Sequence, residues 1–179
     1  MSEQLNNPKQ DELAQEIQAK AEKIRLVVFD VDGVMTDGRL YLGPDGAEFK
    51  SMHVRDGLGL KRLQAMDITP AVISGRPSRP VEDRLLELGL QYIYLNIEDK
   101  PAAFADLCEV LGIVPAQCAM MGDDLPDLPL MQTAGLAMAV ADAIPEVLAA
   151  ADWVSTRNGG DGAVREACDF IIAAQEAAA

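Results

Sequence analysis

Short, almost purely apolar runs recur along this chain and are separated by stretches with helical spacing. That alternation constrains the fold more than any other feature. The runs are "IRLVVFDV" (24–31), "ITPAVISG" (68–75), "QYIYLN" (91–96), "QCAMMGDD" (117–124), "LAMAV" (136–140) and a shorter "DWVST" (152–156). A strand with one wet face alternates apolar and polar residues, whereas a strand covered on both faces reads as a continuous apolar run. Between these runs stand "DGLGLKRLQAM" (56–66), "RPVEDRLLELG" (79–89), "KPAAFADLCEVLG" (100–112), "LPDLPLMQTAG" (125–135), "IPEVLAAA" (144–151) and "AVREACDFIIAAQ" (163–175). Gly89 and Gly112 close two of them, and Pro101 stands near the start of one, as helix ends require. Strand–helix alternation predicts an α/β fold with a parallel sheet, and right-handed crossovers make it doubly wound.

Two segments break the rhythm. Residues 39–52, "RLYLGPDGAEFKSM", hold two short strand-like pieces around Pro44-Asp45-Gly46, a turn signal, and read as a β-hairpin insertion. Residues 1–23 are polar and lack the apolar core of a signal peptide; they read as a loose arm with a weak helix over Asp11–Lys23. The rest, residues 24–179, reads as one domain with a C-terminal tail over 155–179, in which "NGGDG" (158–162) is expected to be a flexible joint. The gaps from Asp32 to Ser74 and from Ser74 to Lys100 are too short for a separate cap domain, which needs roughly fifty residues or more.

In sheets of this kind ligands bind beyond the carboxyl ends of the strands. There the first strand presents Asp30 and Asp32, the second Ser74-Gly75-Arg76, and the fourth Gly122-Asp123-Asp124; Lys100 opens the helix after the third. Clustered carboxylates require a counter-ion, and an all-oxygen site that must leave room for a phosphate suits Mg²⁺, with Asp30 and Asp123 as the natural pair. The spacing of Asp30 and Asp32 puts both side chains on one side of an extended segment. One can then attack phosphorus while the other handles protons, with Ser74 and Lys100 serving the phosphoryl oxygens.

Composition narrows the partners. The net charge of −14 argues against nucleic acid and against an anionic membrane surface. Cys108, Cys118 and Cys168 have no metal-ligand spacing and read as free thiols of a cytoplasmic protein.

The motifs "DVDGVMTDG", "ISGR", Lys100 and "GDDLPDLPLM" together resemble those of the haloacid dehalogenase-like phosphatases. Their order and strand placement agree, over about Arg25 to Ile172. The resemblance implies a haloacid dehalogenase fold, with Asp30 as nucleophile and Asp32 as general acid/base. It places Mg²⁺ on Asp30, Asp123 and the main-chain carbonyl of Asp32. "HVRDGLG", "GLAMAVADA" and "GGDGAVRE" are similar to one family within it, the 3-deoxy-D-manno-octulosonate 8-phosphate phosphatases of lipopolysaccharide precursor synthesis. That resemblance implies phosphate contacts from Ser74, Gly75 and Lys100. It implies substrate contacts from Asp32, His53, Val54, Arg55, Asp56, Gly57, Lys61, Arg76, Arg84 and Lys100. Lys61 stands where some members have arginine, and Pro77 where lysine is expected. Members of the family are tetramers whose hairpins pack centrally. A homotetramer is therefore expected, with neighbouring subunits completing the site and the Gly159-Gly160 tail carrying Arg157 or Arg165 toward a neighbour.

Plainer roles stand beside these. Asp37 reads as a turn former, and His53 alone as an ordinary satisfied histidine; Asp124 and Asp127 are either helix caps or supports for the metal ligands. Trp153 reads as packing. Two alternatives stand beside this function: a phosphatase for a nine-carbon sugar acid 9-phosphate, and a phospho-receiver signalling module. A receiver carries its phosphorylated aspartate on a middle strand and has no use for a second aspartate as acid/base.

Overall fold

Leu26–Phe29 (β1) lies at the centre of the molecule because all four of its side chains are apolar and none reaches solvent. Burying each such side chain contributes about 1.5–3 kcal/mol, which a surface strand would forgo. The computed structural model describes residues 8–179, so the first seven residues of the expected N-terminal arm lie outside the described residues. The first helix, α1, runs over Pro8–Ala21, slightly earlier than its sequence pattern predicts. After β1 come the hairpin strands β2 (Tyr41–Leu42) and β3 (Glu48–Phe49), then α2 (Val54–Ala65), β4 (Thr69–Ile73), α3 (Arg79–Glu87), β5 (Tyr92–Tyr94) and α4 (Lys100–Leu111). The second half adds β6 (Cys118–Gly122), α5 (Leu128–Thr133), β7 (Leu136–Ala139), α6 (Pro145–Ala150), β8 (Trp153–Val154) and α7 (Ala163–Ala178).

Six strands form one parallel sheet in the order β5-β4-β1-β6-β7-β8. The order runs outward from β1 to β5, then jumps back to β6. Right-handed crossovers therefore put α2 and α3 on one face and α4, α5 and α6 on the other. Helix α7 returns to the first face and packs on α2 and α1. This is the doubly wound α/β sheet that the alternation predicts, and its direction reverses between β1 and β6. A crevice opens where strand order reverses, at the carboxyl ends of those two strands.

The hairpin projects from this end. Tyr41 pairs with Phe49 and Leu42 with Glu48, and a bridge between Thr36 and Met52 ties its base. Asp37, read as a turn former, accepts from the Arg39 amide and from the Tyr41 hydroxyl at 3.1 and 2.5 Å. Trp153 packs as expected, stacked on Phe170 with ring centroids 5.3 Å apart.

The expected flexible joint is something else. Gly160 donates its amide to the Val34 carbonyl at 3.0 Å, and the Gly159 amide reaches Asp142 Oδ1 at 2.9 Å. A Cβ on Gly159 would stand 1.7 Å from the Gly33 carbonyl oxygen. These glycines let the chain pass directly behind the loop that follows β1 in the same subunit. Arg165 then pairs with Asp169 within α7 at 2.7 Å. The segment is a strap fixed to the loop after β1, not the flexible joint that its composition suggests.

Candidate active site

Beyond Phe29 the chain leaves the sheet in one wide turn, Val31–Met35, closed by the Thr36 amide on the Val31 carbonyl at 3.0 Å. The Thr36 hydroxyl also donates to Val31 O at 3.2 Å and accepts from the amides of Gly33 and Gly38. This threonine, buried at the foot of the turn, went unremarked in the sequence. Gly33 adopts φ +92°, and a Cβ there would fall 2.0 Å from Asp123 Oδ2. Only glycine lets the loop from β1 lie against the carboxylate from β6.

Asp30, Asp32, Ser74, Gly75, Arg76, Lys100, Asp123, Asp124 and Asp127 all line one pocket of about 220 Å³, with Pro126. Lys100 is buried and donates to Asp30 Oδ1 at 2.8 Å and to Asp127 Oδ1 at 2.7 Å. Burial works against its ammonium, but the carboxylates of Asp30 and Asp127 outweigh that and raise its pKa. Burial, then the nearby Asp127, push Asp30 up to about 6 against the pull of Lys100. Burial, with Asp127 and Asp30 beside it, pushes Asp123 up to about 8.

Those shifts state the chemistry of the donor set. Carboxylate oxygens of Asp30, Asp123 and Asp127 lie within 4.8 Å of one another. Were all three ionised, they would leave two negative charges in excess of the single Lys100 ammonium. A divalent cation with oxygen preference fits that surplus. Asp127, undecided between cap and support in the sequence, already has both oxygens engaged. Its Oδ1 holds Lys100, and its Oδ2 accepts the Asp123 amide at 3.0 Å. It therefore fixes both the lysine and the metal-side loop. Asp124 is a helix cap, accepting from the Leu125 amide in a capping box with Asp127.

The Asp32 carboxylate lines the same pocket but bonds none of these groups. Its Oδ1 accepts from Lys50 Nζ at 2.5 Å, and its buried Oδ2 has no hydrogen-bond partner. Arg76 stands 3.8 Å from that oxygen and bonds Glu48 at 3.1 Å. Lys50 was missed in the sequence because nothing in "EFKSM" distinguishes it from a solvated hairpin lysine; the pairing becomes visible only when the hairpin folds back.

The other expected substrate residues gather elsewhere. His53, Val54, Asp56, Gly57 and Arg84 line a second cavity of about 350 Å³ with Met35, Met52 and Leu88. The plainer role of His53 is realised, its Nδ1 accepting the Arg55 amide at the start of α2 at 3.2 Å. Arg84 bonds Glu87 at 2.6 Å. Arg55 lines a third cavity, about 210 Å³, with Arg157, Asp161 and Arg165, and Lys61 is exposed on α2. One chain thus brings together the groups expected to serve phosphoryl transfer but keeps most of the expected sugar-reading groups apart from them.

Known proteins resemble this chain closely. A family model described as haloacid dehalogenase-like hydrolase matches residues 93–166. The 3-deoxy-D-manno-octulosonate 8-phosphate phosphatase of Escherichia coli strain B is 48% identical, over 89% of this chain and 85% of its own length. The crystal structure of the Yersinia pestis phosphatase of the same name superposes with a TM-score of 0.88 at 45% identity, covering 90% of this chain and 87% of that one. The Moraxella catarrhalis phosphatase, solved with a magnesium ion, a phosphate ion and a KDO molecule, gives a TM-score of 0.88 at 41% identity, covering 90% and 93%.

Proposed function

Because the chain belongs to the 3-deoxy-D-manno-octulosonate 8-phosphate phosphatase family of haloacid dehalogenase-like hydrolases, we propose that it releases phosphate from 3-deoxy-D-manno-octulosonate 8-phosphate, a step in lipopolysaccharide precursor synthesis. The observation that carries the reaction is the meeting of Asp30, Asp123 and Lys100 in one buried cluster beside an Asp32 with a free carboxylate oxygen.

Asp30, at the mouth of the sheet, is the nucleophile and forms an aspartyl phosphate; Lys100 and Ser74, with the Gly75 backbone, hold the phosphoryl oxygens as charge grows on them. Asp32 protonates the departing sugar oxygen and then takes a proton from the water that hydrolyses the intermediate. Mg²⁺, held by Asp30, Asp123 and the main-chain carbonyl of Asp32, neutralises phosphoryl charge when bound. The unpaired Oδ2 of Asp32 favours this over a phospho-receiver, which has no proton to move there. Arg76, at the pocket edge, is placed to meet the sugar acid.

Assembly completes the reading. Leu42, Phe49 and Val54 are 74%, 60% and 79% exposed, so the hairpin and the start of α2 present an apolar surface of the kind that marks an interface. A homotetramer packed through its hairpins would cover it. Such packing would also bring His53 to Gly57, Lys61 and Arg84 of a neighbour toward the open pocket. No described helix is long and apolar enough to cross a membrane, and free buried cysteines fit a reducing cytoplasm.

A phosphate-release screen over sugar phosphates tests the reading. The eight-carbon acid 8-phosphate should give the highest kcat/KM, chelation should abolish it and Mg²⁺ should restore it. Preference for a nine-carbon acid 9-phosphate would replace the substrate, and undiminished activity after exhaustive chelation would defeat the mechanism.

A further inference from the structure

Lys50 is an unusual lysine. It follows β3 on a projecting hairpin whose apolar side chains are largely exposed, yet its own side chain is only 3% exposed. Lysine is almost never fully buried unless paired. Its ammonium sits 2.5 Å from Asp32 Oδ1 and 3.7 Å from Glu48 Oε1. The other oxygen of Asp32, Oδ2, is buried and accepts no hydrogen bond. Arg76 Nε, at 3.8 Å, is too far to occupy it and is held toward Glu48.

The two oxygens of Asp32 are therefore unlike. One is clamped from the hairpin, and the other accepts no hydrogen bond, on a residue that lines the pocket with Asp30 and Lys100. A carboxyl group that must deliver a proton along a defined line needs such a division. Free rotation about its last bond would spread the proton over orientations that cannot reach the leaving oxygen. We propose that Lys50 is the positioning residue that clamps Oδ1 of Asp32 and so presents Oδ2 to the substrate's leaving oxygen.

The inference rests on the phosphatase reading above and gives each oxygen one task. In the first step an Asp30 oxygen bonds to phosphorus. The electrons of the breaking P–O bond pass to the sugar oxygen, which takes the proton from Oδ2. In the second step water loses a proton to Oδ2 as its oxygen bonds to phosphorus and the Asp30 carboxylate departs. Lys50 touches neither phosphorus nor the transferred proton. It is supplied by the hairpin, so the insertion belongs to the catalytic machinery of its own subunit as well as to any interface.

A role through the general acid has a signature that mere support of the hairpin lacks: it depends on the leaving group. An alkyl alkoxide needs protonation as it departs, whereas nitrophenolate leaves well without it. Lys50→Met keeps the stem and removes the donor. Single-turnover and steady-state rates would be measured for the sugar phosphate and for p-nitrophenyl phosphate with Mg²⁺. The expected result is a fall of tenfold or more in kcat for the sugar phosphate with KM changed less than threefold. The first-turnover release of nitrophenolate should fall less than threefold, and Lys50→Arg should recover most of the lost rate. Equal losses on both substrates in the first turnover, a rise in KM alone, or no change would each overturn the proposal. Should Lys50→Met fail to fold, Lys50→Leu, which also lacks a donor, carries the same comparison. Failure of the octulosonate reading would appear in the wild-type rates; the variant ratio is then taken on whichever alkyl phosphate the wild type hydrolyses.

Discussion

The rim where β1 meets β6 and the hairpin that leans over it are built on opposite principles. The rim grows out of strands whose residues are entirely buried, and its charged groups are held by one another: Lys100 between Asp30 and Asp127, Asp127 beneath the Asp123 amide. The hairpin has two paired residues in each strand and leaves Leu42 and Phe49 largely in solvent. A two-stranded hairpin alone is marginally stable in water. On the proposed reading, chemistry is thus placed where the fold cannot relax, and substrate reading where the fold would need a partner. The two regions meet at Asp32, which belongs to the rim by sequence and to the hairpin through Lys50.

The sharpest way to break the rim without touching the hairpin is Asp30→Asn. An amide is a poor nucleophile and a weak ligand for Mg²⁺, while its shape still fits the buried cluster. Turnover should fall by about a thousandfold or more, about 4 kcal/mol of transition-state stabilisation, with assembly and circular dichroism unchanged. Near-normal phosphate release would remove Asp30 from its role.

Gly159→Ala strikes the junction from behind. The new methyl group would meet the Gly33 carbonyl and crowd that of Thr36, so the turn carrying Asp32 must shift. Overpacking of this kind costs about 1–3 kcal/mol. We expect a lower Tm together with at least a tenfold loss of kcat on every phosphate ester, large or small. A loss confined to the sugar phosphate would instead restore the idea of a tail that reads substrate.

Phe49→Glu combined with Leu42→Glu tests the hairpin alone. Charged side chains at both positions should dissociate the assembly, seen as a smaller mass by light scattering. The freed subunit should still hydrolyse a small aryl phosphate within about threefold of wild type, because its rim is intact, but should lose most of its kcat/KM for the sugar acid phosphate. An unchanged mass would show that the hairpin is not the interface.

The same division decided what could be read from the sequence. The sheet, its winding and the rim residues were legible because burial on both faces leaves continuous apolar runs, and because such strands end in the residues they present. Asp127 was legible as a carboxylate but not as the holder of Lys100, since that contact joins residues 27 positions apart. Lys50 was missed and the Gly159-Gly160 strap misread for one shared reason. Their work is a close approach between segments distant in the chain, and a lysine on a hairpin or a glycine pair near a terminus carries no periodic signal. Composition called the strap flexible, whereas the Gly33 carbonyl behind it makes glycine a steric necessity.

The smallest expected effect lies at the root of the helix that follows the hairpin. Asp56 is buried; its Oδ1 accepts the Arg165 amide at 2.9 Å and its Oδ2 has no partner. Burial pushes this carboxyl up to about 6 from an ordinary 3.8, against the Arg165 hydrogen bond and the charge of His53. The sign follows from proton counting. Below about pH 4 the group is protonated whether the chain is folded or not, so it contributes no difference. Between about 4 and 6 the folded chain holds a proton that the unfolded chain has released, so stability falls as pH rises through that window. Above about pH 6 the full cost is present, up to about 3 kcal/mol. Asp56→Asn keeps an acceptor for the Arg165 amide and cannot ionise. Relative to wild type it should therefore gain stability between pH 4.5 and 7.5, by about 1–2 kcal/mol, in denaturant unfolding. Parallel stability curves for the two proteins would mean that the carboxylate is already neutralised by a cation.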